Sequence, residues 1–174
     1  MSLPVFLIKK SFLPELHRYD MKGRSRMKIL HLYHDIMNLY GEYANVAALK
    51  RMLEKNDITC EIDQLSVGDH LSFMDYDFIY VGSGTERNQK HVLEHMKAYK
   101  SEISSYIEAG KMLLMTGNSF EILGKELTDG KGKKYNGLEL FEFTVTEQER
   151  SRDTADAIFF MDTVVITRET ECCL

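Results

Sequence analysis

Four short apolar runs, separated by segments of different periodicity, dominate the sequence between residues 27 and 116. The runs are of strand length and read "MKILHLY", "ITCEIDQL", "YDFIYVG" and "GKMLLMT". Two of the segments between them carry apolar residues at helical spacing. Strands that alternate with helices predict a parallel sheet with right-handed crossovers between neighbouring strands. We therefore expect an α/β fold in which a three-layer, flavodoxin-like parallel sheet has helices on both faces.

Two amphipathic helices are predicted within this region. The apolar positions of the first lie at Val46, Leu49, Met52 and Leu53, and we expect this helix to end near Asn56. The second is a long helical segment predicted from roughly Arg87 to Ala109, with apolar residues on one face. That face consists of Val92, Met96, Tyr99, Ile103, Tyr106 and Ile107.

The pattern of the sequence changes after Gly124. Turn-forming residues fill "DGKGKKYNG", and three further stretches alternate apolar with polar residues, namely "LELFEFTVT", "ADAIFFMD" and "TVVITRE". Alternation of this kind is typical of antiparallel strands with one solvated face. We expect a C-terminal antiparallel β extension to the α/β core.

The beginning of the chain differs from the rest. Residues 1–26 contain both prolines and the basic stretch "KGRSR", and a second natural start follows at Met27. We expect a tag or flexible N-terminal extension over residues 1–26 and one domain over residues 27–174.

Charge and cysteine content exclude several classes of function. The formal net charge is −5 and the isoelectric point is near 5.7, which argues against broad binding to nucleic acid or anionic lipid. The opening apolar run is too short to span a bilayer, so we expect neither a nucleic-acid nor a membrane partner. The three cysteines form no CxxC pair, which favours the reducing cytoplasm.

Small residues follow the third predicted strand in the stretch "GSGTERNQ". In an open parallel sheet, ligands bind at the carboxyl ends of the strands, where such loops gather. The backbone N–H groups of Gly82, Ser83 and Gly84 are therefore candidates for ligand contact, with Arg87 and Gln89 as polar partners. Glycines in this place also serve simply to form tight turns, and the stretch is not a dinucleotide fingerprint.

The fourth strand runs into a sharp turn in "LLMTGNSFEILG", a layout in which several enzyme families place a nucleophile. Ser119 is one candidate nucleophile. A helix cap is the competing interpretation, because Asn118 and Glu121 have the spacing of a capping box.

The histidines limit the chemistry that this turn can support. All six precede the turn, so a general base that follows it in the chain is not a histidine. His91 and His95 are four residues apart on a predicted helix, but no carboxylate or cysteine pattern completes a metal site with them. We expect no metal and no cofactor.

Together these stretches resemble the class I glutamine amidotransferase domain, in its cobyric acid synthase-like branch, and within it the glutaminase subunits of lipid II isoglutaminyl synthases. The resemblance extends from Met27 to about Val165. It is carried by "MKILHLYHDIMNLYGEYANVAALKRMLE", "YDFIYVGSGTERNQ", "EAGKMLLMTGNSFEILGKEL" and "GKKYNGLELFEF".

The resemblance implies that the catalytic pair is missing. In the family the turn carries a cysteine, two glycines, an aromatic residue and a glutamine, and a downstream histidine activates the thiol. Gly117 takes the place of the cysteine here, while Asn118 and Ser119 take those of the glycines. Glu121 takes the place of the glutamine. Thr116 and Ser119 flank the nucleophile position, and they are the weak remaining candidates for that role.

The resemblance also implies a ligand pocket and a partner. Ser83 stands where the family's oxyanion loop has its middle glycine, and a glutamine-like ligand would lie among Gly82, Ser83, Gly84, Arg87, Gln89, Asn118 and Glu121. In relatives the glutaminase works with a Mur-ligase-like subunit that uses ATP. The domain of the family normally continues further, so this chain is expected to be short at its C-terminus.

Three functions follow as hypotheses. The first is a non-catalytic amidotransferase-like protein that acts as a binding or regulatory subunit. The second is an active amidotransferase or amidohydrolase that uses Ser119 or Thr116. The third is a small flavodoxin-like module that binds a nucleotide or flavin, which only the glycine-rich loops suggest.

Overall fold

The four predicted strands lie side by side and parallel in the computed structural model, which describes residues 5–8 and 26–147. They are β2 (Arg26–Leu32), β3 (Thr59–Leu65), β4 (Phe78–Val81) and β5 (Met112–Thr116). The order across the sheet is β5-β4-β2-β3, and every neighbouring pair among them is parallel. This is the expected flavodoxin-like arrangement, and the predicted fold class is confirmed.

Both faces of the sheet are covered, as its sequence pattern requires. On one face Met27 and Ile29 pack with Val46 and Leu53 of the helix α1 (Tyr43–Glu54). Side chains alternate between the two faces along a strand, so the residues between them point to the opposite face. On that opposite face Leu30 and Leu32 are fully inaccessible to solvent.

The predicted long helical segment extends over residues 86–108 and consists of two α-helices. They are α2 (Glu86–Met96) and α3 (Lys100–Glu108), joined by a 3-10 turn at Lys97–Tyr99. Tyr99 leaves the helical conformation, with φ −109° and ψ 9°, and its ring contacts Phe73 and His95. The apolar face continues across this break, which is why periodicity alone did not detect it.

A further strand, β1 (Val5–Ile8), pairs antiparallel with β5 at the edge of the sheet. It lies within the stretch that we expected to precede the fold, and its residues "VFLI" are an apolar run of strand length. The predicted boundary at Met27 therefore leaves out a strand of this sheet. The other residues before Arg26 lie outside the described part of the chain.

The chain divides into two compact units, Met1–Phe120 and Glu121–Leu174. The second unit contains β6 (Glu126–Thr128), β7 (Lys134–Asn136) and β8 (Thr144–Thr146), in the order β7-β6-β8. Because β6 pairs antiparallel with β7 but parallel with β8, the expected antiparallel extension is a mixed sheet. The predicted strands "ADAIFFMD" and "TVVITRE" lie outside the described residues.

The connections of the sheet determine where a site is expected. The chain leaves β2 towards β3 on one side, whereas β4 lies on the other side of β2. Loops diverge at such a topological switch point and leave a crevice at the carboxyl ends of the strands. The loops after β2, β4 and β5 all reach this edge. None of the helices in the described ranges is long and apolar enough to cross a membrane.

Candidate functional site

The glycines of the loop after β4 are required by close packing. A Cβ atom on Gly82 would lie 2.3 Å from the carbonyl oxygen of Met37, and one on Gly84 would lie 2.4 Å from the Met37 sulfur. Both contacts are far closer than van der Waals distance, so side chains at these positions would displace the loop after β2. The small residues in "GSG" therefore let two loops of the switch point pack against each other.

Two of the three backbone N–H groups that we expected to meet a ligand are engaged within the protein. Ser83 N–H donates to Glu42 Oε1 at 3.1 Å, and Gly84 N–H donates to Asn118 Oδ1 at 3.0 Å. Donors committed in this way are not free for the oxyanion of a reacting amide. The loop has the shape of an oxyanion loop, while two of its donors serve to hold the fold together.

The sharp turn after β5 opens a 3-10 helix over Gly117–Leu123. The predicted helix cap was wrong, because the side chain of Asn118 bonds to Gly84 and that of Ser119 donates to carbonyl oxygens. Gln89, which is buried, donates from Nε2 to the carbonyl oxygen of Asn118 at 2.7 Å. The loops after β4 and β5 are thus linked directly.

Gly117 adopts a left-handed conformation with φ +58°, which suits glycine. A Cβ atom built on it would lie 2.3 Å from Ser83 Oγ and 3.1 Å from Ser83 Cβ. Ser83 is buried, and its hydroxyl donates to the carbonyl oxygen of Thr116 at 3.1 Å. The Ser83 side chain therefore fills the space that a side chain at position 117 would need.

A buried carboxylate, which the sequence analysis did not identify, lies beneath these loops. Glu42 is 2% exposed, and its Oε2 accepts hydrogen bonds from Tyr80 at 2.5 Å and from Asn45 at 3.0 Å. Its other oxygen accepts the N–H of Ser83, so Glu42 connects the loop after β2 to the loop after β4. Burial, together with the hydrogen bond to Glu42, raises the pKa of Tyr80 to about 12.

Neither candidate hydroxyl is directed towards solvent. Ser119 is completely buried and donates to the carbonyl oxygens of Thr116, at 2.8 Å, and Val81, at 3.2 Å. Thr116 is 4% exposed, and its hydroxyl lies 3.1 Å from that of Tyr80. A nucleophile must reach its substrate and be activated by a base. These two hydroxyls instead bond to groups of the protein.

His31 lies on β2, with its ring centroid 5.4 Å from that of Tyr80. It is 1% exposed, and among the residues that the structure describes neither ring nitrogen has a hydrogen-bond partner. Its pKa is lowered to about 4, chiefly by burial and to a smaller extent by His34, while Glu42 acts in the opposite direction. The neutral ring is therefore the form that the fold accommodates.

The structure brings most of the predicted residues together. Gly82, Ser83, Gly84, Gln89 and Asn118 form one connected group around the two loops. Arg87 is exposed in the first turn of α2, and Glu121 belongs to the second unit.

The predicted histidine pair takes no part in this group. His95 instead forms a hydrogen bond with Tyr33, in which its Nδ1 lies 2.8 Å from the Tyr33 hydroxyl oxygen. The residues described in the two ranges contain no cluster of histidine, cysteine, aspartate and glutamate suited to a metal ion.

Residues 28–167 match the family model of the CobB/CobQ-like glutamine amidotransferase domain. The chain is similar to the lipid II isoglutaminyl synthase (glutamine-hydrolyzing) subunit GatD of Streptococcus pneumoniae (strain ATCC BAA-255 / R6). The two are 28% identical over 131 residues, which make up 75% of this chain and 50% of the relative. The subunit of the same name from Staphylococcus aureus (strain N315) is 26% identical over 137 residues, 79% of this chain and 56% of the relative.

The chain thus spans about half the length of the curated relatives that it matches. The family model, by contrast, covers most of the chain and includes β3, β4, β5 and all of β2 from Lys28 onwards. This chain belongs to the family of CobB/CobQ-like glutamine amidotransferase domains.

Proposed function

We propose that this chain is an amidotransferase-like protein without glutaminase activity, which acts as a binding or regulatory subunit. The observation that carries the proposal is Gly117 at the position of the family's nucleophile, with Ser83 Oγ 2.3 Å from where a Cβ atom would lie. Hydrolysis of the glutamine amide in this family proceeds through attack by that side chain. Without the side chain, and without room for one, the first covalent step has no nucleophile.

The environments of the two remaining hydroxyls support the same conclusion. An active enzyme that used Ser119 or Thr116 would need the hydroxyl exposed to substrate, but both groups are at least 96% buried and bond to protein oxygens. Moving either of them would leave buried carbonyl or hydroxyl oxygens without their donors, which costs about 1–3 kcal/mol for each group. We therefore prefer the non-catalytic function to the hydrolytic alternative.

Covalent trapping tests this proposal. The protein is incubated with an electrophilic glutamine analogue that alkylates glutaminase nucleophiles, and its intact mass is measured. We expect no adduct at residues 113–124, in wild type or in Ser119→Ala. An adduct on Ser119 or Thr116, lost when that residue is replaced by alanine, would establish the hydrolytic alternative.

A glutamine-like small molecule is the proposed ligand. The residues of the first unit that the family resemblance places around it are Gly82, Ser83, Gly84, Arg87, Gln89 and Asn118. Of these, Arg87 is exposed at the start of α2, where its guanidinium is available to a carboxylate. Calorimetric titration with glutamine should give binding that Arg87→Ala weakens at least ~10-fold, while Lys97→Ala, at the far end of α2, leaves it unchanged.

The proposed macromolecular partner is a Mur-ligase-like, ATP-dependent subunit in the cytoplasm. Large apolar side chains are exposed at Leu39 and Tyr40 in the loop after β2 and at Tyr43, the first residue of α1, with exposed fractions of 48%, 52% and 62%. This patch adjoins the site, because Leu39 N–H donates to the carbonyl oxygen of Ser83 at 3.0 Å. Aromatic residues exposed side by side are typical of protein interfaces.

Co-purification with the ligase subunit from the same organism tests the partner. Tyr40→Ser combined with Tyr43→Ser should abolish capture. Met52→Ser serves as the matched control, because Met52 is 64% exposed on α1, outside this loop. Equal capture of all three proteins would exclude the patch, and no capture of wild type would exclude the partner.

A further inference from the structure

The nearest atoms to a Cβ built on Gly117 all belong to one residue. They are Ser83 Oγ at 2.3 Å, Ser83 Cβ at 3.1 Å and Ser83 Cα at 3.9 Å. The first distance is too short for real atoms and the second is a tight contact, whereas 3.9 Å is an ordinary van der Waals contact. The hydroxymethyl group of Ser83 is therefore the nearest obstacle to a side chain at position 117, and it adds to the cost of the left-handed conformation there.

Ser83 cannot easily turn aside. It is 2% exposed, its hydroxyl donates to the carbonyl oxygen of Thr116 at 3.1 Å, and its N–H is held by Glu42. A rotation of the side chain would break a buried hydrogen bond and move the oxygen within a packed region. The conflict with a side chain at position 117 would thus have to be relieved by movement of the backbone.

We propose that Ser83 is the residue that closes the nucleophile position, and that side chains at positions 83 and 117 exclude each other. The fold accepts a side chain at 117 only when position 83 is glycine, and the turn then presents that side chain between the loops after β4 and β5. This inference rests on the proposed function in taking Gly117 as the former nucleophile position. It deepens that proposal by naming the group that occupies the vacated space.

The inference concerns the steric room for a side chain at position 117 and not catalytic turnover. Unfolding temperatures of variants therefore test it directly. Gly117→Ala is compared in two backgrounds, wild type and Ser83→Gly. In wild type, Gly117→Ala should lower the unfolding temperature by about 5 °C or more beyond the decrease that it causes in the Ser83→Gly background. This difference is expected because neighbouring residues that compete for space are energetically coupled. Ser83→Ala should give an intermediate result, because it removes the hydroxyl but keeps the Cβ atom.

Gly110 provides the matched control. It has φ +73° and a Cβ built on it would meet no atom within 4 Å, so Gly110→Ala measures the cost of the left-handed conformation alone. Its effect should be the same in both backgrounds. If Gly117→Ala fails to fold in wild type but folds in Ser83→Gly, the exclusion is supported.

Equal losses in the two backgrounds, or failure to fold in both, would overturn the inference. Neither result would bear on the proposal that the protein lacks glutaminase activity. The two proposals can therefore be contradicted independently of each other.

Discussion

The side-chain amide of Asn118 holds both backbone groups of Gly84. Its Oδ1 accepts the Gly84 N–H at 3.0 Å, and its Nδ2 donates to the Gly84 carbonyl oxygen at 2.8 Å. This paired contact joins the turn after β5 to the loop after β4. In this part of the molecule, residues that resemble a catalytic turn and an oxyanion loop are bonded to each other.

Asn118→Asp should destabilise the protein, because a carboxylate cannot donate to the Gly84 carbonyl oxygen and is repelled by it. We expect the free energy of unfolding to fall by about 1–3 kcal/mol. Urea denaturation measures it. Asn56→Asp is the control, because Asn56 is exposed and its Nδ2 donates to Met52 O at 2.8 Å. Similar losses in the two variants would show that the paired contact contributes little.

Tyr80→Phe should also be destabilising, because it removes the donor that reaches Glu42 Oε2 at 2.5 Å. Hydrogen bonds to buried charged groups are stronger than neutral ones, so we expect a loss of about 2–3 kcal/mol. Tyr106→Phe is the same substitution at a neutral bond, that from Tyr106 to the Met112 carbonyl oxygen at 3.1 Å. It should cost about 1 kcal/mol. A larger loss from Tyr106→Phe would contradict a central role for the Glu42 network.

His31 should make stability depend on pH. Its pKa is lowered by burial from 6.5 to about 4, so between these values the unfolded chain binds a proton that the folded protein does not. Stability from this group is therefore complete above pH 6.5 and is lost as the pH falls towards 4, by at most about 3 kcal/mol. Urea denaturation between pH 7 and pH 5 should show this slope.

Replacement of His31 tests the origin of the slope. His31→Gln should flatten it, whereas His70→Gln, at an exposed histidine, should leave it unchanged. A slope that survives His31→Gln would assign the pH dependence to other groups.

Ser119 should be inaccessible to reagents in solution. Its side chain is fully buried, so Ser119→Cys should react with a water-soluble maleimide at least ~100-fold more slowly than Ser101→Cys, on the exposed side of α3. Rates are read on the labelled peptides by mass spectrometry, because Cys60, Cys172 and Cys173 also carry thiols. Fast labelling at position 119 would restore Ser119 as a candidate nucleophile.

Much of the fold could be predicted because strand and helix periodicity are local. All four core strands begin and end within a few residues of the apolar runs that predicted them, and α1 ends at Glu54, near the expected Asn56. The break at Lys97–Tyr99 could not be found in this way, since the apolar face is preserved across it. The parallel pairing of β6 with β8 likewise depends on contacts across 18 or so residues of chain.

The candidate site was predicted in position but not in detail. Gly-rich and polar residues at strand ends identified the two loops, because the carboxyl ends of parallel strands meet at one edge. The burial of Glu42 could not be predicted from the sequence, because a glutamate in a loop is normally solvated. The relation between Ser83 and Gly117 was also hidden, because it depends on the exact approach of two loops that are far apart in the chain.

The release of ammonia from L-glutamine, measured with the purified full chain alone and with the ligase subunit and ATP, tests the central claim most directly. Gly84→Ala serves as the baseline, because a Cβ atom there would disrupt the loop after β4. We predict that wild type releases no more ammonia than this variant under either condition. Release above that baseline, abolished by Ser119→Ala or Thr116→Val, would show that the protein is an active glutaminase.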